Sequence, residues 1–339
     1  MMNGFIDEVC TQGSLMKNVI QFYKEGGMNS IDEIITYFRK NELNKIILSG
    51  MGSSLYAMDS IRSYLTSHGV PTIAFSSFEL SRFMFELIDN KTLIIIASQS
   101  GNSAEVIELV EKAQKITKVV GIYNNEGSKL SQIADFVLPI KANKEVSITN
   151  KTFEFTMLIL NIFAHRLLNE CDENFWNEVN KVNLWIDEWL SEWEKNSTPL
   201  YEFSKNKTLY DLLANDSSLA TAKQLSLAYR EGLHNCTSVW ECADYAHGQY
   251  HSSKLGKEYL AQMFFPIFED NTKEMKMKNY IIEHGGDVLL YTSSEIQEEP
   301  HLKVVKLPRF ANSLMPLIES IASETLLGML FGKDWIKDH

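Results

Sequence analysis

The sequence predicts an α/β protein made of two parallel-sheet αβα halves preceded by helices. Three observations carry that prediction. Short apolar runs alternate with amphipathic stretches through residues 45–140. Two of these runs end in Gly/Ser-rich turns that open helices. A second series of runs, at 208–213, 259–266, 287–291 and 302–307, repeats the scheme less cleanly, as a duplication would. Doubly wound parallel sheets require right-handed crossovers and present ligands at the carboxyl ends of their strands.

Composition bounds the class. The chain has 339 residues, 45% of them apolar and 22% charged, which is ordinary for a globular protein of two domains. A net charge of −12 argues against a nucleic-acid or anionic-membrane partner. The four cysteines, Cys10, Cys171, Cys236 and Cys242, make no CxxC pair and suggest no disulfide framework. No signal peptide is read at the start and no 18-residue apolar run along the chain, so a cytoplasmic protein with no membrane span is expected.

The first half reads in order as follows. Residues 5–40 look helical, with Ser30 as a cap for 31–39 and Glu33 three residues on. A buried strand at 45–49 runs into Gly50-Met51-Gly52-Ser53-Ser54 and a helix over 55–63. Gly50 and Gly52 make GxG, but Leu55 stands where a dinucleotide fingerprint needs a third glycine, so close backbone approach to a small anion fits better than a nucleotide. Strands follow at 70–75, 92–97, 119–123 and 136–140, with a short helix at 128–134.

The stretch 92–113 is the most informative. Thr92–Ala97 is a nearly all-apolar run of the kind buried on both faces of a parallel sheet. Ser98-Gln99-Ser100-Gly101-Asn102-Ser103 is polar and carries three hydroxyls. From Ala104 the apolar residues take helical spacing. A strand, a hydroxyl-rich turn and a helix N-terminus together suit a phosphate, held by dipoles because the turn has no lysine. The same residues also read as a plain capped helix.

Beyond Lys151 a long helix is expected. Residues 172–197 hold Trp176, Trp185, Trp189 and Trp193, the last three at four-residue spacing, which reads as a helix packed on a neighbour and ended by Asn196-Ser-Thr-Pro199. In the second half a polar turn at 214–218 precedes a helix over 219–233. A helix at 273–286 has a glycine stop, and an apolar helix over 313–331 closes the chain. The expected organisation is N-terminal helices (1–34), a first α/β domain (35–170), a helical connector (171–198) and a second α/β domain (199–339).

Gly50-Met-Gly-Ser-Ser54, Ser98-Gln-Ser-Gly101 with Ser103, Lys151-Thr152 and Ala246-His-Gly248 resemble the tandem sugar isomerase (SIS) proteins. The pattern is similar to the isomerase half of glucosamine-6-phosphate synthase and to the fructosamine-6-phosphate deglycases. The resemblance covers roughly residues 35–339. It implies two flavodoxin-like SIS domains, no cofactor and no metal, and a homodimer with shared active sites. It also implies that Ser54, Ser98, Gln99, Ser100 and Ser103 hold the phosphate of a sugar phosphate, with Gly52, Ser53 and Lys151 beside the substrate. A catalytic glutamate and a histidine sixteen residues later match Glu231 and His247.

Departures from that pattern matter. Ala228 stands where the synthase has a catalytic lysine, no glutaminase domain is read before the SIS domains, and the chain stops at Ile336-Lys-Asp-His339 without the synthase's lysine-bearing tail. These favour a deglycase that cleaves an amino-acid adduct of a 6-phosphosugar. Gln249 follows Gly248 where many relatives have proline. In the expected chemistry Glu231 moves a proton between C1 and C2, and His247 opens the ring or protonates O2. Burial is expected to raise the carboxyl of Glu231 toward neutrality. His234 and His251 are the rival histidines, and no HExxH frames a metal. A phosphosugar aldose–ketose isomerase, a glucosamine-6-phosphate deaminase and a non-catalytic sugar-phosphate binder are the alternatives.

Overall fold

The computed structural model describes residues 3–270 and 272–335. The chain divides into two compact units. One comprises residues 12–183; the other joins the N-terminal segment up to Thr11 to residues 184–339. The helices expected to stand ahead of the first domain are therefore shared out: Gln12–Phe22 and Met28–Lys40 belong to the first unit, and Gly4–Val9 to the second.

The first unit holds five strands: β1 (Lys45–Gly50), β2 (Thr72–Ser76), β3 (Thr92–Ser98), β4 (Val119–Tyr123) and β5 (Phe136–Pro139). All pair in parallel, in the order β2-β1-β3-β4-β5. β3 sits at the centre and every one of its residues is buried, as its unbroken apolar run requires when helices cover both faces. Pro139 ends an edge strand, where a missing N–H costs no ladder bond. The helix Ala104–Ala113 lays Val106, Leu109, Val110 and Ala113 onto Ile94, Ile96 and Val119 of the sheet. The expected helix at 55–63 is two pieces, Ser53–Tyr56 and Asp59–Ser67.

The second unit holds β6 (Leu209–Ala214), β7 (Cys236–Trp240), β8 (Tyr259–Phe264), β9 (Asp287–Thr292) and β10 (Leu302–Lys306), again all parallel. Their order is β10-β9-β8-β6-β7. Counted from its own first strand, this is the order of the first sheet, so the two units share one topology, as duplication implies. β7 is a strand that pattern reading overlooked. It lies at the sheet edge and only Thr237 is buried, so its sequence never forms an apolar run.

Two further expectations are corrected. Residues 196–199 do not end a helix, because Pro199 lies inside the helix Trp193–Ser204; the break falls at Glu192, whose φ of −122° leaves the helical region. The closing segment Asn312–Phe331 is long and apolar enough to span a membrane, contrary to the reading of no such run. It is 89% buried, as the core helix of the second unit. The helix Gly4–Val9 packs on it: Asn3 accepts from the Ile6 N–H and donates through Nδ2 to the carbonyls of Gly328 and Gly332. Gly328 permits the approach, since a Cβ there would lie 3.0 Å from Ile6 Cδ1.

Candidate functional site

In the first sheet the strand order reverses at β1, whose neighbours are β2 and β3. Parallel sheets open a crevice at such a point, beyond the carboxyl ends of the strands on either side. The Gly50–Ser54 turn leaves β1 there and the Ser98–Ser103 turn leaves β3 there. The two strands run side by side, Ser49 opposite Ile96. The backbones approach closely: a Cβ on Gly50 would lie 2.9 Å from Leu55 N and 3.1 Å from Ala97 O. Gly52 takes φ +51° and starts the helix Ser53–Tyr56 with no side-chain cap.

The second turn is held from within and presents donors outward. Ser98 Oγ accepts from Gly101 N at 3.1 Å, and Ser100 Oγ from Asn102 N at 3.2 Å. Each bond uses the oxygen as acceptor and leaves the O–H to donate. Gly101 sits at φ +65°, and a Cβ on it would fall 2.2 Å from Ser128 Oγ. The Gly101 carbonyl accepts from Leu130 N, and Asn102 Oδ1 from Lys129 N. Ser103 occupies the N-cap position of Ala104–Ala113, yet its hydroxyl makes no capping bond. The first N–H groups of that helix therefore have no side-chain acceptor from Ser103. Ser98 is buried, while Ser54, Gln99, Ser100 and Ser103 are partly exposed. Asn125 and Ser128, which border the turn from the next connection, were not read from sequence, because their distance along the chain separates them from it.

Lys151 is buried, and its ammonium donates to the Lys144 carbonyl at 2.7 Å. It opens the helix Lys151–Leu167, where Glu145 accepts from Thr152 N and Thr152 Oγ1. This helix packs against Ser53–Tyr56.

The catalytic candidates lie in the second unit. Glu231 is in the last turn of the helix Leu219–Leu233 and is exposed, so the burial expected of it is not supplied by its own unit. His234 ends that helix at φ +56°. His247 is exposed, follows the short helix Cys242–Tyr245, and precedes Gly248 at φ +120°. The helix bearing Glu231 joins two parallel strands, β6 and β7, so its end lies at the amino edge of the sheet. His247 comes after β7 and lies beyond the carboxyl edge. β7, about 16 Å long, lies between the two along the chain. The topology does not bring Glu231 and His247 of one chain together.

Among the described residues no three His, Cys, Asp or Glu side chains converge as metal ligands. Cys242 is buried and burial pushes its thiol up to about 12, which makes it a poor nucleophile. The expectation drawn from the residues after Trp335 lies outside the described residues.

Residues 41–166 match the SIS domain family. The chain is 25% identical over 356 aligned residues to glutamine–fructose-6-phosphate aminotransferase (isomerizing) from Thermococcus kodakarensis, a match covering 97% of the chain and 55% of that protein. The chain thus spans about half the length of that relative. Its fold matches the C-terminal domain of glucosamine-fructose-6-phosphate aminotransferase from Francisella tularensis with a TM-score of 0.86, at 18% identity and 98% coverage of both chains. It also matches glucosamine-6-phosphate deaminase from Thermotoga maritima with a TM-score of 0.71, at 17% identity, covering 96% of this chain and 94% of that one.

Proposed function

We propose, from the membership of residues 41–166 in the SIS domain family, that this chain is a phosphosugar enzyme of the isomerase type. We further propose that its specific reaction is deglycation of an amino-acid adduct of a 6-phosphosugar. The observation that carries the reading is the Ser98–Ser103 turn: hydroxyls free to donate, an N-cap serine that does not cap, and a helix N-terminus, all at the switch point of the sheet. A phosphate there accepts from Ser98, Ser100, Ser103 and Ser54, with Gln99 beside it and Gly52 and Ser53 closing the opposite lip.

The reaction runs without a cofactor. Glu231 removes a C1 proton from the ketosamine, giving an enaminol, and a proton returned to C2 leaves a Schiff base at C1. Addition of one water then releases the amine and an aldose 6-phosphate. His247 opens the sugar ring or protonates O2. Because Glu231 and His247 lie at opposite edges of one sheet, the complete site takes them from two copies of the chain, in a homodimer with shared sites. The partner copy also supplies the burial that an exposed Glu231 lacks.

One observation favours cleavage of an adduct over amino transfer: Ala228 stands in place of a lysine on the Glu231 helix. The test is release of hexose 6-phosphate from a panel of amino-acid ketosamine and aldosamine 6-phosphates, with glucosamine 6-phosphate and fructose 6-phosphate included. Turnover of one amino-acid adduct, lost in Glu231→Gln, is the expected outcome. Turnover of glucosamine 6-phosphate alone, or of fructose 6-phosphate alone, would replace the reading by a deaminase or an aldose–ketose isomerase.

A further inference from the structure

The connection that carries His247 runs from the end of β7 to the start of β8, and it is fastened to one buried carboxyl group. Asp211 stands third in β6 and shares a face with Leu209 and Leu213. That face packs against Cys242 and Tyr245 of the short helix before His247, and against Tyr259 at the start of β8. Asp211 is 6% exposed. Tyr259 donates from its hydroxyl to Asp211 Oδ2 at 2.8 Å, and Trp240 donates from Nε1 to Oδ1 at 3.2 Å. The hydroxyls of Tyr245 and Tyr259 lie 2.6 Å apart, so the chain of bonds continues to Tyr245. The Ser252 hydroxyl reaches both Asp211 and the Gln249 carbonyl, and can donate to one of them at a time.

Stability does not explain a carboxyl group at this place. Buried among apolar and aromatic side chains it loses its hydration, and burial raises it above the ordinary aspartate value, against the bonds from Tyr259, Trp240 and Ser252 that lower it. An apolar residue of similar size would serve the core as well or better. What the carboxyl group adds is geometry. Among the described residues, every hydrogen bond it receives comes from the stretch 240–259: from the first residue, from the last, and from Ser252 between them. Tyr245 lies two residues before His247 and Ser252 five after it, so both flanks are tied to one point. The chain turns between them, with His247 N on the Asp244 carbonyl at 2.9 Å and His251 N on the Gly248 carbonyl at 3.2 Å. Asn215 Oδ1 holds the start of the short helix by accepting from Cys242 N at 3.1 Å. The exposed His247 imidazole makes no hydrogen bond of its own among the described residues, and Gly248 beside it adds backbone freedom. The direction of the ring therefore depends on how the two flanks are held.

We infer that Asp211 is a positioning residue for His247, an inference that rests on the reading of His247 as an acid–base group of the proposed reaction. Through the hydroxyls of Tyr259 and Tyr245 on one side and Ser252 on the other, Asp211 fixes the two flanks of the 246–251 segment, and with them the direction in which the imidazole meets the substrate. Tyrosines suit such a relay, because a ring with only two rotatable bonds keeps little freedom once its hydroxyl is paired.

Two variants of the full chain test it. Asp211→Leu removes both acceptors at similar size; Tyr245→Phe removes only the far hydroxyl and keeps the ring in the core. Hexose 6-phosphate release from amino-acid ketosamine 6-phosphates is measured for each variant alone and in combination with His247→Ala. Asp211→Leu is expected to lower kcat about tenfold and Tyr245→Phe about threefold, with KM unchanged because the phosphate is held by the first unit. Neither is expected to lower kcat further once His247 is alanine, since residues that act as one unit are not additive. Hydrogen exchange at 246–252 is expected to quicken in Asp211→Leu while β8 and β9 keep their protection. Circular dichroism checks the fold, and if Asp211→Leu does not fold, Tyr245→Phe carries the same comparison. The inference is overturned if kcat stays at the wild-type value, if the loss is the same with and without His247, or if exchange at 246–252 does not move. The reading of His247 fails separately: a His247→Ala variant with wild-type kcat would remove the acid–base role, and Asp211 would have nothing to position.

Discussion

The two sheets have the same strand order, yet the crevices they open have opposite chemistry. In the first unit, the turns after β1 and β3 are neutral and rich in hydroxyls and backbone donors. In the second, the corresponding turns carry Asp216 and the apolar Phe265-Pro-Ile, with Glu274 across a cavity of about 170 Å³. Topology fixes where a ligand can sit, and the few residues just past each strand decide whether an anion fits there. The comparison also divides the labour of the proposed reaction: anion binding rests on the first unit, proton transfer on two edges of the second.

That division gives the largest expected effect. Glu231→Gln and His247→Ala are each expected to lower turnover by about 10² to 10⁴, the usual range for a lost acid or base. If each site draws the two residues from different copies, mixing the two inactive variants under exchange should restore about one quarter of wild-type activity, because half the dimers are mixed and each holds one intact site. Recovery near zero from a mixture shown to exchange would mean that one chain supplies both groups, against the topology of β7.

Next in size is an opposed response to pH. Glu319, fully buried in the second unit, is held up to about 7 by burial, against hydrogen bonds from Ser218 and Thr221 that lower it. Between its unfolded value near 4.5 and about 7 the folded state keeps a proton that the unfolded state has lost, so this unit loses stability as pH rises through that window, by about 3 kcal/mol in full. His165, in the first unit, is pushed down by burial; it is stacked between Tyr64 and Phe175. Its unfolded form binds a proton first, so stability falls as pH drops below the ordinary histidine value of 6.5. Hydrogen exchange at pH 5 and pH 7.5 should show the first unit gaining protection with pH and the second losing it. Glu319→Gln should flatten the second trend alone.

Gly101→Ala comes third. The substitution forces a Cβ into a left-handed backbone and against Ser128 Oγ, at a cost of about 2 kcal/mol in the first unit. Sugar-phosphate affinity should drop about tenfold or more as the Ser98–Ser103 hydroxyls turn away. Ser128→Gly in the same background removes the clash and should return part of the loss; affinity unmoved by Gly101→Ala would detach the turn from the phosphate.

How much of this was legible depends on where each residue finds its partners. β3 and its turn were readable because a strand buried on both faces is continuous in sequence, and a strand–turn–helix keeps its ligand groups within a dozen residues. β7 was not, because an edge strand buries only Thr237 and borrows its ladder from β6. Pro199 was read as a stop on its local cost, but the segment is held in place by tertiary contacts such as Ser197 Oγ on Thr325. Glu231 and His247 were found through a family spacing alone; their separation across the sheet appears only once β7 is in place. The network on Asp211 was missed altogether, because Asp211, Trp240 and Tyr259 are far apart in sequence and meet only through the strand order.

The smallest expected effect tests whether the tryptophan spacing was a packing signal. Trp189 stacks on Trp185 with centroids 5.1 Å apart and donates from Nε1 to Thr325 Oγ1 at 3.0 Å. Thr325 also accepts from Ser197 and donates to the Ala322 carbonyl. Trp189→Phe keeps a ring on Trp185 and leaves Thr325 bonded, so it should cost about 1 kcal/mol, the net worth of one hydrogen bond. Thr325→Val should cost more, about 2 kcal/mol, since it strands two donors at once. Urea unfolding of the two variants gives the order directly. If Trp189→Phe proved the more damaging, the stacking would outweigh the bond to the core helix, and the four-residue spacing would be serving the tryptophans' contact with one another.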